Sequence, residues 1–129
     1  MTIRQTLSFQ NGPEKIYKVL TSATEFGEMT GAPAEISEDE GGEFSCFGGQ
    51  ITGRHIELRP NKRIVQAWRA GPWEEGVYSI VKFDISESAN GSTVTLEHTA
   101  YPEGSSEHLE GGWHKMYWEP LKAFLDSRI

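Results

Sequence analysis

Cysteine is nearly absent: Cys46 stands alone in 129 residues, so no intrachain disulfide can form, and a reducing, cytoplasmic setting is the simplest expectation. Long apolar runs are missing too. No stretch approaches the roughly 18 residues of a spanning helix, and the opening MTIRQTLSFQNGPEK holds no apolar h-region. These absences predict neither membrane insertion nor export by that route. Basic residues are few and scattered: 12 Lys and Arg against 19 Asp and Glu give a formal net charge of −7. Nucleic-acid binding, which needs a basic footprint on phosphate, is disfavoured. No repeat, low-complexity tract or linker interrupts the chain, and its length suits one domain over residues 1–129.

Periodicity supplies the elements. In TIRQTLSF, Ile3, Leu7 and Phe9 share one face of an alternating segment, which predicts a first strand over residues 2–9. Asn11-Gly12 is a turn signal, Pro13 suits a first helical position, and Ile16, Tyr17, Val19 and Leu20 recur at helical spacing. Thr24 to Met29 predicts a second short helix. Glycines 41, 42, 48 and 49 then divide a meander of short strands, followed by RIVQAWR, VYSIVKFDIS and STVTLEHTA. Pro60-Asn61-Lys62 and Asn90-Gly91 are short hairpin-type turns, so antiparallel neighbours are expected. A long helix starts near Ser105 or Ser106, either of which suits the cap. The predicted order is one strand, two short helices, about six strands and a long C-terminal helix covering the sheet.

At about 100° per residue, Leu109, Trp113, Met116, Tyr117, Pro120, Leu121 and Phe124 of the last helix form one apolar stripe. Lys115, Glu119 and Lys122 lie opposite, and Trp118 falls outside the stripe. Trp118 is therefore the aromatic expected to meet a partner. Pro120 removes a bond to the Met116 carbonyl, and Gly111 and Gly112 are poor helix formers, so a kink near Met116 is expected.

Alternation places Ile64, Gln66 and Trp68, then Ser79, Val81, Phe83 and Ile85, then Val94, Leu96 and His98 on the covered face. Ser79, Gln66 and His98 are polar groups under the helix, and buried polar groups must be paired or hydrated. A partly open cavity lined by Trp68, Ser79, Phe83, His98, Trp113, Met116 and Tyr117 would answer that need and would take a small apolar or amphipathic ligand. An ordinary aromatic core with a hydrogen-bonded structural histidine is the competing expectation.

Signals for chemistry are weak. His108 and His114 are six apart and on different helix faces, and His55 is expected on the outer face of its strand. No metal site, cofactor or catalytic residue set is predicted. GGQITGR has the glycine spacing of a phosphate loop, yet Arg54 stands where Lys is needed and no Ser or Thr follows. Cys46 sits between Phe44 and Phe47 and reads as an inert thiol. The run EISEDEGGE, with Glu35, Glu38, Asp39, Glu40 and Glu43, reads as a solvated hairpin tip, with a basic partner surface as the sharper alternative. Trp73, in GPWEEG, anchors its loop or lines a cavity mouth.

The segments GGEFSCFGGQITGRHIELRPNKRIVQAWR, WEEGVYSIVKFDI and GGWHKMYWEPLKAFL resemble, in order and spacing, the activator of Hsp90 ATPase homologue (AHSA1-like) family of the START-like, or SRPBCC, superfamily. The likeness runs from about Glu14 to Leu125. It implies an α+β helix-grip fold: a curved antiparallel sheet wrapped around a long C-terminal helix, with two short helices after the first strand. Members like the eukaryotic co-chaperone bind Hsp90 and stimulate its ATPase with an N-terminal domain besides a C-terminal one of this kind. The length here leaves room for the latter alone, so full ATPase activation is not expected. Other superfamily members hold lipids, sterols or polyketides between sheet and helix, and a few are cyclases.

Three functions therefore stand as expectations. The first is a non-enzymatic protein holding a small hydrophobic ligand at the cavity residues named above. The second is an Hsp90-type co-chaperone or stress-response interaction protein using its acidic surface and Trp118. The third is a polyketide cyclase-like enzyme. The candidate partners are a small hydrophobic ligand and a chaperone or other protein, with a monomer or weak homodimer as the assembly.

Overall fold

The structure is a computed structural model, and it describes residues 2–127. Chain order gives β1 (Thr2–Phe9), α1 (Pro13–Thr21), α2 (Ala23–Thr30), β2 (Glu35–Ile36), β3 (Glu43–Cys46), β4 (Ile51–Arg59), β5 (Arg63–Ala70), β6 (Ser79–Ser88), β7 (Gly91–Thr99), α3 (Ser106–Gly112) and α4 (Glu119–Asp126), with a π-helical segment, Trp113–Trp118, joining α3 to α4. The seven strands form one antiparallel sheet in the order β1-β7-β6-β5-β4-β3-β2. This is the helix-grip arrangement, a curved sheet around a long C-terminal helix.

Local chemistry sets the ends of the first helices. Pro13 opens α1, where its missing N–H has no intrahelical role, and the Ser22 hydroxyl accepts from the Glu25 N–H to cap α2. Gly31 closes α2 in the left-handed region, at φ 75°. Ile16, Val19 and Leu20 of α1 and Phe26 and Met29 of α2 are buried in the core. Gly53 permits a close approach of backbone and ring: a Cβ there would lie 1.9 Å from the Ala67 carbonyl and 2.7 Å from the Phe44 ring. The turn after β3 puts Phe47 at φ 55°, and its ring is held edge-on by Phe26 and Tyr117 at 5.7 and 5.5 Å.

The C-terminal helix departs from an ideal α-helix, and the departure decides which aromatics are buried. Ser105 occupies the cap position without a side-chain capping bond. From Trp113 to Trp118 the ladder runs i→i+5, ending with the Glu119 N–H donating to the His114 carbonyl. The expected kink near Met116 takes this form: Pro120 enters at the start of α4, where the ladder is already displaced. Such a segment advances about 82° per residue, so Tyr117 and Trp118 straddle Trp113 while Met116 turns about 115° away. The buried stripe therefore differs from the one an α-helical period predicts. Met116, expected inside, is 44% exposed, and Trp118, expected outside and free for a partner, is 1% exposed.

Trp118 is also bonded: its indole N–H donates to Gln5 Oε1 at 2.7 Å, while Gln5 Nε2 donates to the Glu110 carbonyl at 3.1 Å. The side chain expected to face a partner thus locks the last helix to β1. Neither Gly111 nor Gly112 is constrained in the same way, since a Cβ at either meets nothing within 4 Å. Replacing each by alanine is expected to raise stability by about 1 kcal/mol, read from urea unfolding. A loss of stability would mean that the π-segment needs the conformational freedom of glycine beside it.

His55, expected on the outer face of its strand, lies on the inner one. It is fully buried and stacks on Phe44, with ring centroids 5.4 Å apart. The register of β4 against β5 shifts between His55 and Glu57, and one extra residue reverses the alternation. His55 and Leu58 consequently face the same side despite their odd spacing, while Ile56 is half exposed. Neither ring nitrogen of His55 has a partner within hydrogen-bond length. Burial lowers its pKa, against a smaller opposing pull from the Ser37 backbone.

Candidate functional site

β5, β6 and β7 present Trp68, Ser79, Phe83 and His98 to the π-segment, and all four are buried with Trp113 and Tyr117. Strand register explains the meeting: Trp68 pairs with Ser79 across β5 and β6, and Val81 pairs with His98 across β6 and β7. Of the residues expected around a cavity, only Met116 lies away from this cluster's buried side.

The polar members satisfy one another. The Trp113 indole N–H can only donate, and it lies 3.1 Å from His98 Nδ1. Nδ1 is therefore the acceptor and Nε2 carries the proton, which it donates to Ser79 Oγ at 2.7 Å. Ser79 in turn donates to the Trp68 carbonyl at 2.9 Å. The result is a closed chain from indole to imidazole to hydroxyl to backbone. Around it, the His98 ring meets Trp68, Tyr101 and Trp113 edge-on, at centroid distances of 4.9, 5.3 and 5.6 Å.

A serine hydroxyl 2.7 Å from a histidine has the look of a nucleophile and its base. The bonding here runs the other way. His98 gives its proton to Ser79, its second nitrogen is occupied by Trp113, and both side chains are fully buried. Burial holds His98 down at about 4, so the ring is neutral at neutral pH. Cys46 is pushed up to about 12 by burial, which suppresses the thiolate. Tyr117 is raised by burial first and by nearby Cys46 second. The Trp68 indole N–H pulls the other way, although it has no acceptor within hydrogen-bond length. Among the described residues no group of three His, Cys, Asp or Glu side chains converges as metal ligands.

A cavity of about 10 Å³ lies among Phe26, Phe44, Cys46, Gln66, Phe83 and Tyr117. That is about the room one water requires. A larger hollow of about 290 Å³ opens elsewhere, between α1 and the end of α4, with Val19, Phe124 and Leu125 among the apolar lining and Lys15, Lys18 and Glu14 among the charged.

The surface beside the aromatic cluster has its own order. Trp73 packs edge-on against Trp68 at 5.7 Å, which makes it the anchor of its loop. Arg69 ties that loop down by donating to the carbonyls of Trp73, Glu74 and Val77. Its guanidinium also lies 5.9 Å from the centre of the half-exposed Tyr78 ring. The acidic hairpin tip is likewise bonded: Glu40 accepts from the Leu58 N–H, and Arg54 pairs with Glu43. Neither the Arg69 clamp nor the Tyr78 platform was legible in sequence, because no periodic signal marks a loop residue that bonds backward.

Comparison with known proteins agrees with this architecture. A family model described as activator of Hsp90 ATPase homolog 1-like protein matches residues 11–126. Activator of 90 kDa heat shock protein ATPase homolog 1 of Homo sapiens is 30% identical over 122 residues, covering 95% of this chain and 36% of the relative. The Dictyostelium discoideum homolog is 31% identical over 122 residues, covering 94% and 32%. The chain thus spans about a third of the length of these curated relatives. Among solved structures, an HSP90 activator from Plasmodium falciparum superposes with a TM-score of 0.91 at 26% identity, covering 98% of this chain and 96% of that one. The Aha1 dimer from Colwellia psychrerythraea shares the fold, with a TM-score of 0.80 at 20% identity over 95% and 93% of the two chains. No described helix is long and apolar enough to cross a membrane. On the breadth of the family match and the fold together, the chain belongs to the activator of Hsp90 ATPase homolog 1-like family.

Proposed function

We propose that this domain works as a protein-docking module on an Hsp90-type chaperone, with its interior serving to hold the shape of its surface. The observation that carries this reading is the polar trio of Trp113, His98 and Ser79, buried and bonded to itself, with a cavity of about 10 Å³ beside Phe83 and Tyr117. A small hydrophobic ligand would have to displace Trp113 or Tyr117 and leave the partners of His98 unpaired, which costs free energy that a preformed pocket does not ask for. The same closed bonding gives a cyclase-like reaction no free acid or base in the grip. Membership of the activator of Hsp90 ATPase homolog 1-like family supports an Hsp90-type chaperone as the partner class.

Tyr78 and Arg69 are the surface pair we assign to the contact. Tyrosine and arginine are enriched where binding energy concentrates, and here the ring is half exposed over a guanidinium fixed by three backbone carbonyls. Calorimetric titration of the domain into an Hsp90-type chaperone is expected to show saturable binding that weakens from low to moderate salt. Tyr78→Ala should weaken it about tenfold with the melting temperature unchanged. Absence of heat at high micromolar concentrations would count against the docking function, and undiminished binding by Tyr78→Ala would move the contact elsewhere.

A further inference from the structure

We infer that β1 is a self-association edge, pairing antiparallel about a two-fold axis with β1 of a second copy of this chain. The two edges of the sheet are treated differently. β2, at one edge, has two residues and follows Pro33, so it offers almost no ladder to another chain. β1, at the other, has eight residues and pairs with β7 from Thr2↔Thr99 to Phe9↔Ser92 without a bulge. Among the described residues no backbone bond beyond those to β7 engages residues 2–9. Alternate N–H and C=O groups along this strand are therefore available to a partner.

The usual safeguards of an edge are missing from TIRQTLSF, which has no proline, no lysine and no acidic residue. Its single charge, Arg4, is already paired with Glu97 on β7. The other outward residues, Thr2, Thr6 and Ser8, are small hydroxyl side chains, all exposed.

A second copy fits because the strand is self-complementary about Gln5. That register sets Thr2 opposite Ser8 of the second copy and Arg4 opposite its Thr6 on one face, with Ile3 opposite its Leu7 on the other. Leu7 is only partly buried in one copy, so the pairing covers apolar surface as well as closing the ladder. Two chains of net charge −7 repel, so the dimer is weak and strengthens with added salt, opposite to the docking contact proposed above. It is independent of that contact.

Sedimentation of the full chain from micromolar to millimolar concentration tests the inference, with two substitutions at one exposed position. Thr6→Lys sets like charges opposite Arg4 of the second copy twice per dimer and should weaken association about tenfold, whereas Thr6→Glu sets opposite charges there and should tighten it several-fold. Melting curves of both variants confirm an unchanged fold. A wild-type chain that stays monomeric to millimolar concentration, or two substitutions that shift the equilibrium in the same direction, would overturn it.

Discussion

Trp118→Ala is expected to cost about 3–5 kcal/mol of unfolding free energy, whereas Met116→Ala two residues away should cost no more than about 0.5 kcal/mol. Trp118 is almost fully buried, lies parallel to Trp113 at a centroid distance of 6.1 Å, meets Phe83 edge-on at 6.1 Å and donates to Gln5. Its removal leaves a large void and orphans the Gln5 acceptor. Met116 is 44% exposed and leaves no enclosed void when shortened, so it gives up little. An uninterrupted α-helix would reverse the ranking, since it would bury Met116 and expose Trp118. Urea unfolding followed by circular dichroism, which does not depend on the indoles being removed, measures both. Similar costs at the two positions would be incompatible with an i→i+5 segment between Trp113 and Trp118.

Acid is expected to remove about 3 kcal/mol of stability through His98 alone. Its pKa falls from 6.5 to about 4 in the folded protein because burial penalises the imidazolium. The unfolded chain takes up a proton below 6.5, whereas the folded chain refuses it until about 4, so the unfolded state binds more protons across this window. Stability is complete above 6.5, declines as pH falls toward 4, and levels off below, at about 1.4 kcal/mol per pH unit. His55 is shifted in the same direction and adds to the decline. His98→Asn provides the control. Its side-chain oxygen still offers Trp113 an acceptor, and the slope of unfolding free energy against pH should drop by about half a proton at 6.5, rising to nearly one at pH 5. Equal slopes in the two proteins would mean that His98 titrates in the fold as it does in the unfolded chain, without the downward shift.

The strand residues that alternation places, and the one it misplaces, illustrate what a sequence pattern can carry. Trp68, Phe83 and His98 lie on the inner face because β5, β6 and β7 run without interruption and keep a period of two. His55 fails the same rule because the β4 register shifts beside it, and an inserted residue leaves no mark in composition. Likewise a π-segment has no apolar period that distinguishes it from an α-helix over six residues. The features that flank it, Gly111-Gly112 and Pro120, look in sequence like weaknesses of an α-helix, whereas they bracket a wider turn. Alternation is enough to place Ser79 and His98 under the helix, yet whether they meet a ligand or each other depends on distances below 3 Å. Spacing along a chain does not contain such distances.

The Trp113 indole N–H is a reporter placed at the centre of the grip, bonded to His98 and buried against Tyr117. A proton–nitrogen correlation spectrum of the labelled domain, recorded during titration with an Hsp90-type chaperone, separates a docking surface from a ligand cavity in one measurement. Docking on a filled domain requires the backbone amides around Arg69 and Tyr78 to shift while the indole signals of Trp113 and Trp118 keep their positions. Stationary amides throughout the titration, or a Trp113 indole that moves when a small apolar compound is added, would contradict it.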